Sequence, residues 1–327
     1  MKRYLAVTMI GLLALLASAV GCAPMATPPP AAPTQVPVEP TAAAVPTQAP
    51  TQAAAESLWE VVRETRVEQP VRMAAFLDET FGLTGGANYE GRAHYTTDGG
   101  QTWTMAETSS GCLFAFDVVD VRTVWECNAS DIRLSTDGGQ TWQGSQGPRG
   151  QPFCRVSSAD DKTVWYLSPS KLEATADGGT TWEEVTLPEA VYPRDVLAIS
   201  LRTPQGEYIL DSTGALYVTS DGGETWSSQT LGLADKYGDM EPMPPGSVAP
   251  VAIRFFDAEH GLIVLSLVGG GRSKVVALRT ADGGQTWAEE VVPAEIGVPY
   301  LTHDGRFLTI HSFFNTGKIT VLRYAGG

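Results

Sequence analysis

The eight residues "STDGGQTW" at 135–142 decide the fold, because the chain repeats them with small changes. The other copies are "TTDGGQTW" (96–103), "TADGGTTW" (175–182), "TSDGGETW" (219–226) and "TADGGQTW" (280–287). A catalytic motif normally occurs once in each active site, whereas a structural unit recurs along a chain. Five copies in 327 residues therefore indicate a motif that builds the fold.

The spacing of the copies predicts the size of each structural unit. Successive motif aspartates are 39, 40, 44 and 61 residues apart. A period near 40 in a chain of β-type composition is typical of four-stranded propeller blades. Within each copy, we expect the carboxylate to accept backbone N–H bonds across a turn that the glycines permit, with the indole packed over the hairpin. We assign this structural role to Asp98, Trp103, Asp137, Trp142, Asp177, Trp182, Asp221, Trp226, Asp282 and Trp287.

Alignment of the copies predicts an all-β fold, a six-bladed β-propeller over residues 56–327. The first five blades fall at about 69–107, 111–146, 152–187, 195–230 and 249–292. Residues 298–324 offer three further strands, and "SLWEVVRE" (57–64) resembles the fourth strands "TTWEEVTL" (180–187) and "QTWAEEVV" (285–292). We expect this N-terminal strand to close the last blade, leaving no open edge. Seven blades are the alternative, if the 61-residue step contains a degenerate one.

The phrase S/T-x-D-G-G-x-T-W resembles the Asp-box, or BNR repeat, of sialidases, sortilin-type receptors, some endoglucanases and photosystem II assembly/stability factors. The double glycine, together with "AAFLDETFGLTGGANYEGRAHY" (74–95) and "IRFFDAEHGLIVLSL" (253–267), is most similar to the assembly-factor type. The resemblance covers nearly the whole folded region. It implies that the Asp-boxes are structural hairpins remote from the functional face, and that the chain binds proteins.

The N-terminal residues predict export and lipid anchoring. Lys2 and Arg3 precede a short apolar run that ends in small residues, as in a signal peptide over 1–21. Cys22 stands where bacterial lipoproteins carry their lipidated cysteine, and residues 23–55 are rich in Pro, Ala, Thr and Gln. At about 3 Å per residue, such a tether spans on the order of 100 Å. We expect an extracytoplasmic chain anchored to a bacterial membrane.

Composition disfavours several other classes. Without Lys2 and Arg3, the chain has 20 basic against 37 acidic residues, a net charge of about −17, so we expect no nucleic-acid partner. The four histidines show no metal-ligand spacing, and no phosphate-binding or dinucleotide motif occurs. We therefore predict no metal, no cofactor and no catalytic residue set.

Binding is expected on the rim opposite the Asp-boxes, because loops that interrupt a regular repeat often carry function. Those loops are 84–92, 105–111, 145–151, 187–195, 229–249 and 267–273. Tyr, Arg and Met side chains suit interface anchors. The candidate binding residues in these loops are Arg149, Tyr192, Arg194, Tyr237, Met243 and Arg272.

Three cysteines remain beside Cys22, namely Cys112, Cys127 and Cys154. Export permits a disulfide, and each of the three pairings leaves one thiol over. Buried unpaired cysteines are the alternative.

Two functional classes follow from the sequence. The favoured one is a non-catalytic propeller that binds a protein or membrane complex as a scaffold, with a lipid partner through Cys22. The alternative is a carbohydrate-active propeller, either a glycoside hydrolase or a glycan-binding protein. Aromatic and carboxylate side chains that converge on one mouth of the axial channel would favour this alternative, although the sialidase phrase "RIP" is missing near the first blade.

Overall fold

A computed structural model describes residues 57–67, 71–86, 92–107, 113–128, 131–145, 147–148, 153–242, 251–313 and 317–326. They belong to one compact unit, Ala54–Gly327. The predicted signal peptide, Cys22 and the tether lie outside the described residues, as do Cys112, Arg149 and Met243.

The described residues form six antiparallel sheets, the blades, and β1 (Trp59–Arg66) belongs to the last of them. Blade 1 contains β2 (Val71–Phe76), β3 (Gly82–Gly86), β4 (His94–Thr96) and β5 (Thr104–Met105). Blade 2 contains β6 (Leu113–Val118), β7 (Val124–Asn128), β8 (Ile132–Ser135) and β9 (Gln143–Gly144). Blade 3 contains β10 (Arg155–Ser158), β11 (Val164–Leu167), β12 (Leu172–Thr175) and β13 (Glu183–Val185).

The second half of the propeller has the same plan with one enlarged blade. Blade 4 contains β14 (Val196–Thr203), β15 (Gly206–Asp211), β16 (Ala215–Thr219) and β17 (Ser227–Thr230). Blade 5 contains β18 (Glu241–Pro242), β19 (Val251–Phe255), β20 (His260–Gly269), β21 (Arg272–Ala281) and β22 (Ala288–Val291). Blade 6 contains β23 (Gly297–Leu301), β24 (Phe307–Ser312) and β25 (Lys318–Tyr324), with β1 as its outermost strand.

The first strands of the blades surround the axis in a closed ring. β2, β6, β10, β14, β19 and β23 each contact the next, and β23 contacts β2. The predicted six-bladed propeller with an N-terminal closing strand is therefore confirmed, and seven blades is wrong. The long 61-residue step is filled by helix α1 (Leu233–Tyr237), β18 and the extended hairpin of β20 and β21. Among the described residues, no helix has the length and apolar character to cross a membrane.

Each Asp-box connects the third and fourth strands of its blade, as the second copy illustrates. Asp137 accepts hydrogen bonds from the backbone N–H groups of Gln140 (3.1 Å) and Thr141 (2.9 Å). Gly139 has a φ of +83°, and a Cβ there would lie 2.5 Å from the Leu83 side chain of blade 1. The second glycine of the motif thus serves both the turn and the contact with the preceding blade.

Strand β1 closes the circle by contacting three blades. It pairs with β25 in blade 6, while the Trp59 indole donates to a Glu290 carboxylate oxygen in blade 5 at 2.9 Å. On the other side, the Thr65 hydroxyl donates to the Gly100 carbonyl oxygen of the first Asp-box at 2.7 Å. Trp59 is only 2% exposed and packs against Tyr324, with ring centroids 5.2 Å apart.

A disulfide joins Cys127 of β7 to Cys154, which directly precedes β10. It therefore links blades 2 and 3 near the start of the inner strand. Of the three pairings left open by the sequence, this is the one formed.

Replacement of Trp59 tests the closing strand. We expect Trp59→Ala to lower the free energy of unfolding by about 3–5 kcal/mol, because it removes a buried indole at the junction of blades 5 and 6. The neighbouring Leu58 is 43% exposed, so Leu58→Ala is the matched control and should change stability by less than about 0.5 kcal/mol. Urea unfolding measures both values, and equal effects of the two variants would contradict the proposed closure.

Candidate functional site

Two of the predicted binding residues lie together where blade 3 connects to blade 4. Tyr192 precedes a short 3₁₀ turn, Pro193–Asp195, which contains Arg194, and both side chains are exposed. The Arg194 guanidinium carbon lies 6.0 Å from the centre of the Tyr192 ring. Tyr192 is 62% exposed, which makes it the most exposed large apolar side chain among the described residues.

Tyr237 and Arg272 lie in a second group, beside the extended hairpin of blade 5. The Tyr237 hydroxyl donates to Glu289 at 2.9 Å, and the Lys274 ammonium lies 5.5 Å from its ring centre. Arg272 forms an exposed ion pair with Asp239 at 2.6 Å. Burial and the bond to Glu289 raise the pKa of Tyr237. This group therefore consists of side chains that already hold one another in place.

A third group, which sequence reasoning missed, lies on the propeller axis. In each blade, one residue of the inner strand occupies an equivalent position in the pairing of the inner strand with the second strand. We call these six residues the axial ring, and they are Ala75, Asp117, Ser157, Ser200, Arg254 and Tyr300.

An ion pair spans the axial ring. Arg254 of blade 5 donates through Nη2 to Asp117 Oδ1 of blade 2, the opposite blade, and through Nη1 to Ser157 Oγ at 3.2 Å. Asp117 is 1% exposed and Arg254 8%. His303 Nε2 lies 3.1 Å from the same Asp117 oxygen. The pair thus links two blades on opposite sides of the axis.

Asp117 remains ionised despite its burial. Burial alone raises the pKa of a carboxyl group, but the charges of Arg254 and His303 and the hydrogen bond from Ser158 N–H hold the pKa of Asp117 well below its usual range. Burial also opposes the charge of Arg254, and Asp117 outweighs that effect and raises the pKa of Arg254. Both groups therefore carry full charge inside the propeller.

Side chains near the axis also accept hydrogen bonds from the unpaired backbone edges of the inner strands. An inner strand pairs on one side only, so its other N–H groups need partners. At one equivalent position in four blades, the N–H donates to a side chain of another blade. These bonds are Phe76 N to Thr309 Oγ1 (2.8 Å), Val118 N to Tyr300 Oη (2.8 Å), Ser158 N to Asp117 Oδ2 (2.7 Å) and Leu201 N to Ser157 Oγ (2.8 Å).

A cavity of about 100 Å³ lies against the axial ring. Two residues earlier along each inner strand stands a second layer, whose members Met73, Ala115, Arg155, Ala198, Ala252 and Val298 all line this cavity. Among its described lining residues, Asp117 is the one carboxylate, and it is already bonded to Arg254. The cavity therefore offers charge and small apolar walls rather than the pair of carboxylates that a glycosidase of the common type uses.

Two further carboxyl groups are fully buried away from the axis. Burial raises the pKa of Glu126 to about 8, although Arg133 partly opposes the shift. Burial also raises the pKa of Glu207, whose carboxylate oxygens have no hydrogen-bond partner among the described residues. Burial therefore favours the neutral form of Glu207.

A second repeated motif in the sequence, outside the Asp-boxes, marks the position of the axial ring. A second aspartate recurs in the turn between the first and second strands, at Asp78, Asp120, Asp160 and Asp257. Its carboxylate accepts N–H groups two and three residues later, as Asp160 does from Lys162 and Thr163. The ring residue of each of these blades stands three positions before that aspartate.

Comparison with known families agrees with the sequence motif. Residues 125–247 match the family model of the photosynthesis system II assembly factor YCF48, and residues 94–105 match that of the BNR/Asp-box repeat. These matches confirm the resemblance to Asp-box propellers of the assembly-factor type. No curated protein matches the sequence significantly.

Similar solved structures are propellers of low sequence identity. YCF48 bound to D1 peptide shares 16% identity, with a TM-score of 0.45 over 84% of this chain and 97% of that chain. YCF48 from Cyanidioschyzon merolae shares 16%, with a TM-score of 0.45 over 81% and 98%. A GH74 xyloglucanase from Xanthomonas campestris shares 14%, with a TM-score of 0.51 over 83% of this chain and 54% of that chain. The last of these likenesses supports the fold and says nothing about activity.

Substitution of Asp117 tests the axial ion pair. We expect Asp117→Asn to lower the free energy of unfolding by about 3–5 kcal/mol, because Arg254 then lacks a counter-charge. The double variant Asp117→Asn/Arg254→Met should recover part of this loss. With Arg254→Met as the second single variant, the cycle should give a coupling of about 2 kcal/mol or more. Asp239→Asn, in the exposed pair with Arg272, is the control and should cost less than about 1 kcal/mol.

The same variants test the pKa of Asp117. Because its pKa in the folded chain lies below the ordinary value of 3.8, its contribution to stability is present above pH 4 and is lost as the pH falls below that value. Urea unfolding at several pH values should therefore show a smaller acid loss for Asp117→Asn than for the wild type. Identical pH profiles would contradict the assignment.

Proposed function

We propose that this protein is an exported, lipid-anchored propeller that binds a partner protein or membrane complex and acts as a non-catalytic assembly scaffold. The observation that carries the proposal is the match of residues 125–247 to a family model of an assembly factor. The axial ion pair and the hydrogen-bonded inner edges of the blades hold such a scaffold rigid, and its connecting loops are free to vary.

The rim opposite the Asp-boxes is the binding face in this proposal. The described parts of two connections between blades expose aromatic side chains on this rim. Tyr192 is 62% exposed and Phe153 is 53% exposed. Phe153 also has a φ of +67°, which is uncommon for a residue other than glycine. Exposed aromatic groups, and Arg194 beside Tyr192, suit the anchors of a protein interface.

Anchoring at the membrane completes the proposal. Cys22 carries the lipid, and residues 23–55 form an extended tether. The propeller then has a reach on the order of 100 Å from the membrane surface. A partner within or beside the same membrane is the simplest target for a scaffold held in this way.

A carbohydrate-active propeller is the alternative. Its requirement is a set of carboxylates and aromatic groups at one mouth of the channel. The described lining of the axial cavity includes a single carboxylate, which is ionised and paired, so the geometry supports the scaffold better.

A quantitative capture experiment tests the binding face. The full chain serves as bait in detergent-solubilised membranes of its own cell, beside Tyr192→Ser/Arg194→Ser on the proposed face. Val121→Ser/Arg122→Ser is the matched control, since it removes one exposed apolar residue and one arginine from the Asp-box rim. We expect a specific membrane protein to be recovered with the wild type and the control, and about tenfold less with the first variant.

The same experiment has two outcomes against the proposal. Absence of any specific partner removes support for a scaffold and directs attention to glycans. Equal recovery with all three baits places the interface elsewhere.

Anchoring has its own test, because Cys22→Ser should abolish labelling by a fatty acid and release the chain from the membrane fraction. Retention of the label in that variant would contradict lipidation at Cys22.

A further inference from the structure

Arg155 stands alone in its layer of the propeller. The other members at equivalent positions are three alanines, a valine and a methionine, so Arg155 is the one charged side chain of this layer. It is 6% exposed and lines the cavity of about 100 Å³. Small side chains on the facing strands leave this space open.

The guanidinium of Arg155 is held by carbonyl oxygens alone. Its Nε donates to Leu197 O at 3.2 Å, and its Nη1 donates to Phe153 O at 3.2 Å and Cys154 O at 3.0 Å. Among the described residues, no carboxylate pairs with Arg155 and no bond engages Nη2. Carbonyl oxygens orient a guanidinium without neutralising its charge.

The charges around the cavity do not balance. Asp117 is matched by Arg254 within the axial ring, which leaves Arg155 as an excess positive charge in a largely apolar enclosure. Burial lowers the pKa of Arg155 to about 10, so the group is still a cation at neutral pH. A buried cation without a counter-ion is costly, and an anion beside it would offset that cost.

We propose that the axial cavity is a binding site for a small monovalent carboxylate, of the size of formate or acetate, with Arg155 as its anchor. Nη2 is the donor left for an anion, and its charge-assisted bonds to a carboxylate oxygen are stronger than bonds between neutral groups. Ala115 and Ala252 supply the space, because both are partly exposed toward a cavity that they line. The volume limits the ligand to a few heavy atoms.

Titration calorimetry on the full chain at constant ionic strength tests this site, with sodium formate and sodium acetate as the probes. The wild type should bind one equivalent with saturation. Arg155→Met keeps the length of the side chain and removes its charge, and it should weaken binding at least about tenfold. Ala252→Leu keeps Arg155 and fills the cavity, so it should abolish binding. Arg122→Met, on the exposed Asp-box rim, is the control and should bind as the wild type does.

Three results would overturn the proposal. The first is the absence of saturable binding to the wild type by both anions. The second is unchanged affinity in Arg155→Met, and the third is unchanged affinity in Ala252→Leu. Thermal unfolding of each variant accompanies the titrations, so that loss of binding in a folded variant is distinguished from loss of the fold. Because the titrations need no partner protein, failure of this site leaves the scaffold proposal standing, and the reverse also holds.

Discussion

Every blade of a propeller presents an unpaired strand edge to the axis, and the structure of this protein depends on how those edges are satisfied. In four blades an inner-strand N–H at one equivalent position donates to a side chain of another blade. Asp117 and Ser157 each act as such an acceptor and also bind Arg254. The bonds that satisfy these backbone N–H groups therefore also attach one blade to another.

The perimeter is built on a different principle. There, the Asp-boxes form self-contained turns whose second glycine packs on the preceding blade, as Gly139 does on Leu83. Strand β1 supplies the corresponding contact for the first box through Thr65 and Gly100. The contacts at the perimeter and on the axis hold the blades together. The connections between blades are therefore the parts of the fold that stability depends on least. This division favours those connections, with Tyr192 and Phe153 exposed on them, as the surface for a partner.

The sequence predicted what depends on local, repeated chemistry. The Asp-box requires the same residues at the same spacing in every turn, so the number of blades and the closing role of residues 57–64 followed from alignment alone. The axial ring escaped prediction because each blade contributes a different residue type, and Asp117 and Arg254 meet only after the circle closes. The repeated aspartate of the first turn, such as Asp160, would have located the ring without revealing its pairing.

Less of the candidate site than of the fold could be predicted from the sequence. Tyr192 and Arg194 lie exposed on a blade connection, whereas Tyr237 and Arg272 are held by Glu289 and Asp239 in contacts that loop length does not disclose. The disulfide remained open for a similar reason, since three cysteines allow three pairings and only the packing of blade 2 against blade 3 brings Cys127 and Cys154 together. Arg155 was not predicted, because its isolation depends on small residues that the other blades contribute to its layer.

Amide hydrogen exchange on the full chain tests the central claim most directly. Val118, Ser158 and Leu201 donate their N–H groups to side chains of other blades, so these amides should exchange only through opening of the propeller, about as slowly as amides in the middle of the second strands. In Asp117→Asn/Arg254→Met, protection of Ser158 should fall while the second strands of distant blades change least. Exchange of Val118, Ser158 and Leu201 at the rate of exposed loop amides in the wild type would contradict the account.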